Sequence, residues 1–185
     1  MDARYRASRA AIVEAGINVL LTNPSAGMSE IAEAAGVGRA TLYRHFESRE
    51  ALIKELTLMC LRETDDRLRP LKESELNGLE AIVAAIDVLG PMADRYRFLM
   101  NSTLIAENDP EIQRLYQRQL DELTALVDEA KEANHIRCDL PTAWIVASYD
   151  AMLNTAWHLV EQGTLSSKDA TAAFKQSFIR SVQSI

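Results

Sequence analysis

The residues best equipped for chemistry lie in GVGRATLYRHFESREAL, residues 36–52, which holds Arg39, Thr41, Tyr43, Arg44, His45 and Arg49 within a few turns of chain. Their chemistry is recognition of a nucleic acid. Arg44 can bond a guanine edge or a phosphate, Thr41 can offer a hydroxyl or a methyl to thymine, and Tyr43 and His45 can reach backbone oxygens. Read as a helix opening at Arg39, at about 100° per residue, the run turns Leu42 and Phe46 to one side. Ala40, Thr41 and Arg44 then face the other way, with Tyr43 and His45 on the flanks. The start of the following helix, near Ser48, presents backbone amides, a positive dipole end and Arg49, which together suit one phosphate. Glu30, Glu33, Glu47 and Glu50 crowd this region and oppose a polyanion unless they point away or pair with Arg39 and Arg49.

Other chemistries lack their residues. There is no HExxH, no GxSxG, no phosphate-binding Walker loop and no Cys/His/Asp cluster on a shared face, so an enzyme is not expected and no cofactor is implied. His135 and Cys138 would need two more ligands to hold a metal, and the spacing does not supply them.

The elements that must position the recognition run are helices. Residues 4 to 21 place Ile12, Gly16, Val19 and Leu20 on one side, and Asn23-Pro24 stops them. A short helix follows, capped by Ser25 or Gly27, with Glu30 at its third position if Gly27 is the cap, and an Ile31–Ala35 pair before Gly36 ends it. Gly36-Val37-Gly38 then joins it to the recognition run, one glycine allowing a positive φ and the valine plugging the core between the two helices. That is a helix-turn-helix, whose second helix fits a DNA major groove. A longer helix from about Ser48 packs Leu52, Leu56 and Met59 and is expected to stop at Pro70. Five more are expected over 78–89, 91–106, 111–134, 141–162 and 166–183. The fold class is therefore all-α: nine helices in two domains, a three-helix helix-turn-helix domain over residues 1–52 and a second helical domain over 53–185.

Charge follows the same division. The chain has 185 residues, 48% of them hydrophobic, and a formal net charge of −7. Residues 1–55 balance seven Lys/Arg against seven Asp/Glu, so the whole −7 belongs to the remainder. A net-neutral recognition module is compatible with DNA where a uniformly acidic chain would not be. No apolar run reaches the roughly 18 to 20 residues of a membrane span, which places the protein in the cytoplasm with no membrane partner. The two cysteines, Cys60 and Cys138, are too isolated for a disulfide framework and are expected to be small buried residues.

With these residues in place, the run Ile31 to Leu52, IAEAAGVGRATLYRHFESREAL, closely resembles the N-terminal signature of the tetracycline-repressor (TetR) family of transcriptional regulators, roughly IAxxAGVSxxTLYxHFxxKExL. The match covers about the first 55 residues; the rest resembles the family only in length and helical layout. The resemblance implies a two-domain homodimer that binds a palindromic double-stranded operator and is released by a small molecule, with residues 53–185 as the effector-binding and dimerisation domain. It carries DNA contact onto Thr41, Tyr43 and His45, with Arg49 where the family has a phosphate-binding lysine. Gly38 and Gly27 replace hydroxyl residues at the two helix starts, each losing a side-chain cap worth a few tenths of a kcal/mol against glycine.

Two further surfaces follow. Ala143, Ala147, Ala151 and Thr155 repeat every four residues, as do Ala170, Phe174, Phe178 and Val182 on the last helix; a symmetric four-helix seam between protomers would use both stripes. For the effector, apolar or amphipathic, the middle helices supply Tyr96, Met100, Thr103, Tyr116, Gln119 and Leu123. The helix at 141–162 adds Trp144, Tyr149, Met152, Trp157 and His158. A mixture of aromatic, amide and apolar groups is what an amphipathic pocket needs. The competing reading is a protein–protein adaptor that keeps the helix-turn-helix scaffold without DNA.

Overall fold

The computed structural model describes residues 3–92 and 109–183. Among them are eight α-helices: α1 Ala3–Thr22, α2 Met28–Ala34, α3 Arg39–His45, α4 Arg49–Lys72, α5 Gly78–Leu89, α6 Pro110–Glu132, α7 Thr142–Glu161 and α8 Ser167–Val182. A 3-10 turn, Gly90–Met92, follows α5. The helix expected over 91–106 begins on that turn and otherwise lies outside the described residues. The described chain is all-α, its β pairing limited to an isolated bridge between Ile136 and Gln183.

The described residues gather into two compact units. One contains the chain up to Leu61 and the short piece from 109 to Gln113; the other contains Arg62 to 92 and the chain from Arg114 onward. The break in packing falls inside α4, a continuous helix.

In the first unit α1 buries Ile12, Ile17 and Leu20, α2 buries Ile31, α3 buries Leu42 and α4 buries Leu52 and Leu56 in one core. Gly16 allows the tightest approach: a Cβ there would lie 3.1 Å from Leu56 Cδ1. Gly27 caps α2, and the Glu30 carboxylate accepts its N–H at 2.8 Å, the half of a capping box that glycine permits. Ser48 caps α4, its hydroxyl oxygen accepting the Ala51 N–H at 3.1 Å. Contrary to expectation, α4 runs through Pro70 to Lys72. Proline there removes one bond in the final turn, to the Asp66 carbonyl, and the Glu73 N–H still closes onto the Arg69 carbonyl at 3.0 Å.

In the second unit Tyr149 of α7 meets Phe174 and Phe178 of α8 edge-on, with ring centroids 5.1 and 5.3 Å apart. The 3-10 turn is pinned to both helices: Trp157 Nε1 donates to the Gly90 carbonyl at 3.1 Å, and Gly90 lies against Thr171 with no room for a Cβ. Cys60 is buried, but Cys138 sits exposed in the turn after α6, which corrects the expectation for that residue.

Candidate nucleic-acid interface

The turn before the recognition helix is built as its residue types require. Gly36 takes φ +64°, in the left-handed region where a side chain is strained, and Val37 packs partly buried against the core below. Gly38 is extended and starts α3, its carbonyl accepting the Thr41 and Leu42 amides. Leu42, fully buried, and Phe46 hold the inner side of α3. On the outer side Arg39, Ala40, Tyr43 and Arg44 are exposed, Tyr43 by 44%, with Thr41 half-buried beside them. The side chains of Arg39, Tyr43 and Arg44 have no partner among the described residues, so their donors face solvent. Two guanidiniums, a phenol and a hydroxyl on one small helical face can do what a base edge or a phosphate asks.

His45 and Arg49 are placed differently from their neighbours. The imidazole of His45 turns toward α1, with Nε2 2.8 Å from Ser8 Oγ and the ring 4.2 Å from that of Tyr5. Its Nδ1 is buried and has no hydrogen-bond partner. Burial, and then the nearby Arg44 and Arg9 guanidiniums, hold the imidazole below its usual value. Arg49 donates from Nε to the Ala26 carbonyl at 2.9 Å and from Nη2 to the Pro24 carbonyl, which fastens the α1–α2 link to the start of α4. The amide end of α4 is already engaged: Glu50's own backbone N–H and the Ser48 hydroxyl hold its carboxylate below the ordinary range. The expected phosphate site at Arg49 therefore has its cation on the protein's own carbonyls and an acid beside its amides.

Supports on α1 are the part that the sequence reading missed. Arg9 spans two neighbours, its guanidinium 5.4 Å above the Phe46 ring and 2.6 Å from Glu55 of α4. Tyr5, Ser8, Arg9 and Ile12 share one face at i, i+3, i+4 and i+7, a spacing that was available in the sequence.

Of the expected effector residues, Tyr96, Met100 and Thr103 lie outside the described ones. Tyr149 and Trp157 are buried in the packing of the second unit, while Trp144 is 64% exposed. His158 is exposed and meets Gln162 at 2.9 Å, so both it and Trp144 stand on the surface. Tyr116 is also exposed, Leu123 and Met152 are half-buried, and Gln119 donates to Asp65 at 3.0 Å. A groove of about 400 Å³ among the described residues is lined by charged side chains, Arg62, Asp65, Asp66, Arg69, Lys72 and Arg118. Its cations are largely paired, Arg118 with Asp65 and Lys72 with Glu122 at 2.6 Å.

The expected dimer stripes separate. Ala147, Ala151 and Thr155 of α7 are exposed in the single chain. Phe174, Phe178 and Val182 of α8 are buried within it. No group of three or more His, Cys, Asp or Glu side chains is placed to hold a metal among the described residues. Nor is any described helix long and apolar enough to cross a membrane.

Residues 7–56 match the family model for bacterial regulatory proteins, tetR family. Over 163 residues, 84% of this chain and 80% of the relative, the sequence is 26% identical to the HTH-type transcriptional repressor LfrR of Mycolicibacterium smegmatis. The crystal structure of LfrR in complex with proflavine superposes with a TM-score of 0.77 at 21% identity, covering all of both chains. The ketosteroid transcriptional regulator KstR2 of Mycobacterium tuberculosis gives 0.78 at 17% identity, over 100% of this chain and 97% of that one.

Proposed function

We propose that the chain, whose residues 7–56 match the tetR family model, is a TetR-family regulator: a cytoplasmic, ligand-responsive repressor that binds a palindromic operator as a homodimer. The observation that carries this reading is the outer face of α3, where Arg39, Tyr43 and Arg44 stand exposed and unpaired among the described residues. Thr41 and Ala40 complete the contact face. His45 and Arg49 support it from behind, the first on α1 and the second on the α1–α2 link. Residues 1–52 form the DNA-reading part, and 53–185 the part that pairs and senses.

Pairing uses the exposed small-residue stripe of α7, Ala147, Ala151 and Thr155, with Trp144 and Ala143 at its start. A two-fold axis would set two copies of α3 into successive major grooves about 34 to 36 Å apart. The effector, small and apolar or amphipathic, is held by Tyr96, Met100 and Thr103 with Tyr116, Leu123 and Met152. That LfrR is a repressor and has been crystallised with proflavine supports a small-molecule-released repressor here. Because α4 carries residues of both units in one helix, a ligand that shifts its later turns would move the head that its first turns hold. A coupling of about 1 to 3 kcal/mol suffices for a 5- to 150-fold loss of affinity.

The test is selection of duplexes from a random pool by the purified full chain, followed by footprinting on DNA flanking its own gene with and without cell extract. A palindromic footprint, with log affinity falling as log salt rises, is the expected outcome. A folded chain that retains no duplex would instead be a protein–protein adaptor.

A further inference from the structure

Among the described residues, the buried side-chain nitrogen or oxygen left without a hydrogen-bond partner is Nδ1 of His45, at the end of the recognition helix. The opposite edge of the ring is held firmly. Nε2 lies 2.8 Å from Ser8 Oγ, and Ser8 Oγ donates to the Tyr5 carbonyl at 3.1 Å. The Tyr5 ring leans over the imidazole at 4.2 Å and 42°. A serine hydroxyl has one hydrogen. With that hydrogen directed at the Tyr5 carbonyl, Nε2 must be the donor to Ser8, and the neutral ring carries its bare lone pair at Nδ1.

A second proton could enter only at Nδ1, an atom covered by its neighbours and without an acceptor in this half-buried ring, where an unmade bond costs free energy. The charged groups facing the ring add to that cost. Arg9 from α1 and Arg44 from α3 are both cationic, and Glu55 of α4 is turned to Arg9 at 2.6 Å. Tyr5 contributes a ring face and Phe46 an apolar neighbour at 6.4 Å.

We infer that His45 is a proton-sensitive latch: its neutral ring fastens the recognition helix to α1, and protonation releases that helix and weakens binding to DNA. The inference rests on the DNA-binding reading and makes His45 a positioning residue, acting on the duplex through Tyr43 and Arg44. Because burial and the two arginines hold the folded imidazole below its usual value, the unfolded chain takes up the proton first. The latch's contribution is therefore complete above the unfolded value, about 6.5, and declines as pH falls from there toward the lower folded value. An added positive charge beside a polyanion would act the other way. Burial decides between them, since Nδ1 cannot reach a phosphate until the ring has left Ser8.

The experiment uses the full chain in two arms. In the first, without DNA, the His45 imidazole is titrated by NMR, its resonance assigned by comparison with His45→Gln. The midpoint should lie below about 6.5, and Ser8→Ala should move it. A midpoint at or above that value, or one indifferent to Ser8→Ala, overturns the latch. In the second, a duplex selected by the protein itself from a random pool at about pH 7.5 is titrated by anisotropy at that pH and at about pH 5.5. The native chain should lose about three- to tenfold in affinity on acidification. His45→Gln, which keeps a donor for Ser8 and cannot take a proton, should lose less than about twofold. Equal losses in the two proteins overturn the inference. If no duplex is selected, the DNA-binding reading fails and the imidazole titration alone decides the latch.

Discussion

Ala151→Glu separates pairing from folding, because Ala151 is exposed in the single chain and flanked on its stripe by Ala147 and Thr155, also exposed. A substitution at such a surface changes the stability of one subunit by no more than about 0.5 kcal/mol. If two α7 helices pack on this stripe, the same glutamate becomes a carboxylate removed from water with no cation facing it. An uncompensated buried charge costs about 3 kcal/mol at the low end, and two-fold symmetry places two of them in one seam, about 6 kcal/mol together. At about 1.4 kcal/mol per decade, dimer dissociation should strengthen by about four orders of magnitude. Sedimentation equilibrium at about micromolar concentration, with circular dichroism on the same samples, reads both quantities. The variant should sediment as a single chain with its helicity intact and should bind the selected duplex weakly. A variant that stays dimeric, or a native chain that is already monomeric at tens of micromolar, refutes the assignment of α7 to the seam.

Arg44→Ala should cost about 1 to 3 kcal/mol of duplex affinity, roughly ten- to a hundredfold, with the melting temperature unchanged, since its guanidinium has no partner among the described residues. Phe178→Ala should lower stability by about 3 to 5 kcal/mol in a denaturant titration, because that ring is fully buried between Tyr149 and Phe174 and not held in reserve for a partner. Gly90→Ala would set a Cβ 2.2 Å from Thr171 Oγ1, an overpacking of about 1 to 3 kcal/mol that calorimetry should register as a fall of roughly 2 to 4 °C per kcal/mol. Combining it with Thr171→Ala should recover most of the loss; no recovery would place the strain elsewhere.

The helices were legible because their signals are local. The Leu42–Phe46 pair, the Gly36 turn and the Ser48 start each depend on residues within a turn or two, and each stands where its neighbours put it. Proline misled where position mattered more than type: Pro70 lies in the last turn of α4, where one missing bond ends nothing. That Arg39, Tyr43 and Arg44 stand on the exposed side of α3 was legible for the same local reason. What a single helix cannot reveal is its surroundings. Period alone could set His45 on a flank of α3, but only the arrival of Tyr5 and Ser8 from α1 shows that the ring is engaged on the inner side.

The two stripes near the C-terminus differ in physical size and in burial. A four-residue repeat marks a helix face that is covered, without saying whether the cover is the same chain or another. The stripe with large side chains, Phe174, Phe178 and Val182, fills the space between α7 and α8 of one subunit, where Tyr149 packs edge-on against it. Ala147 and Ala151 have too little side chain to fill such a gap and are left outside. Their smallness suits an approach of helix backbones, which a second copy of α7 can make across a two-fold axis without displacing anything from the subunit core. The same reasoning applies to charge on the DNA-reading part. Arg9 and Arg49 have protein acceptors and hold the fold, whereas Arg39 and Arg44 have none among the described residues, which is what the proposed contact with phosphate and base requires.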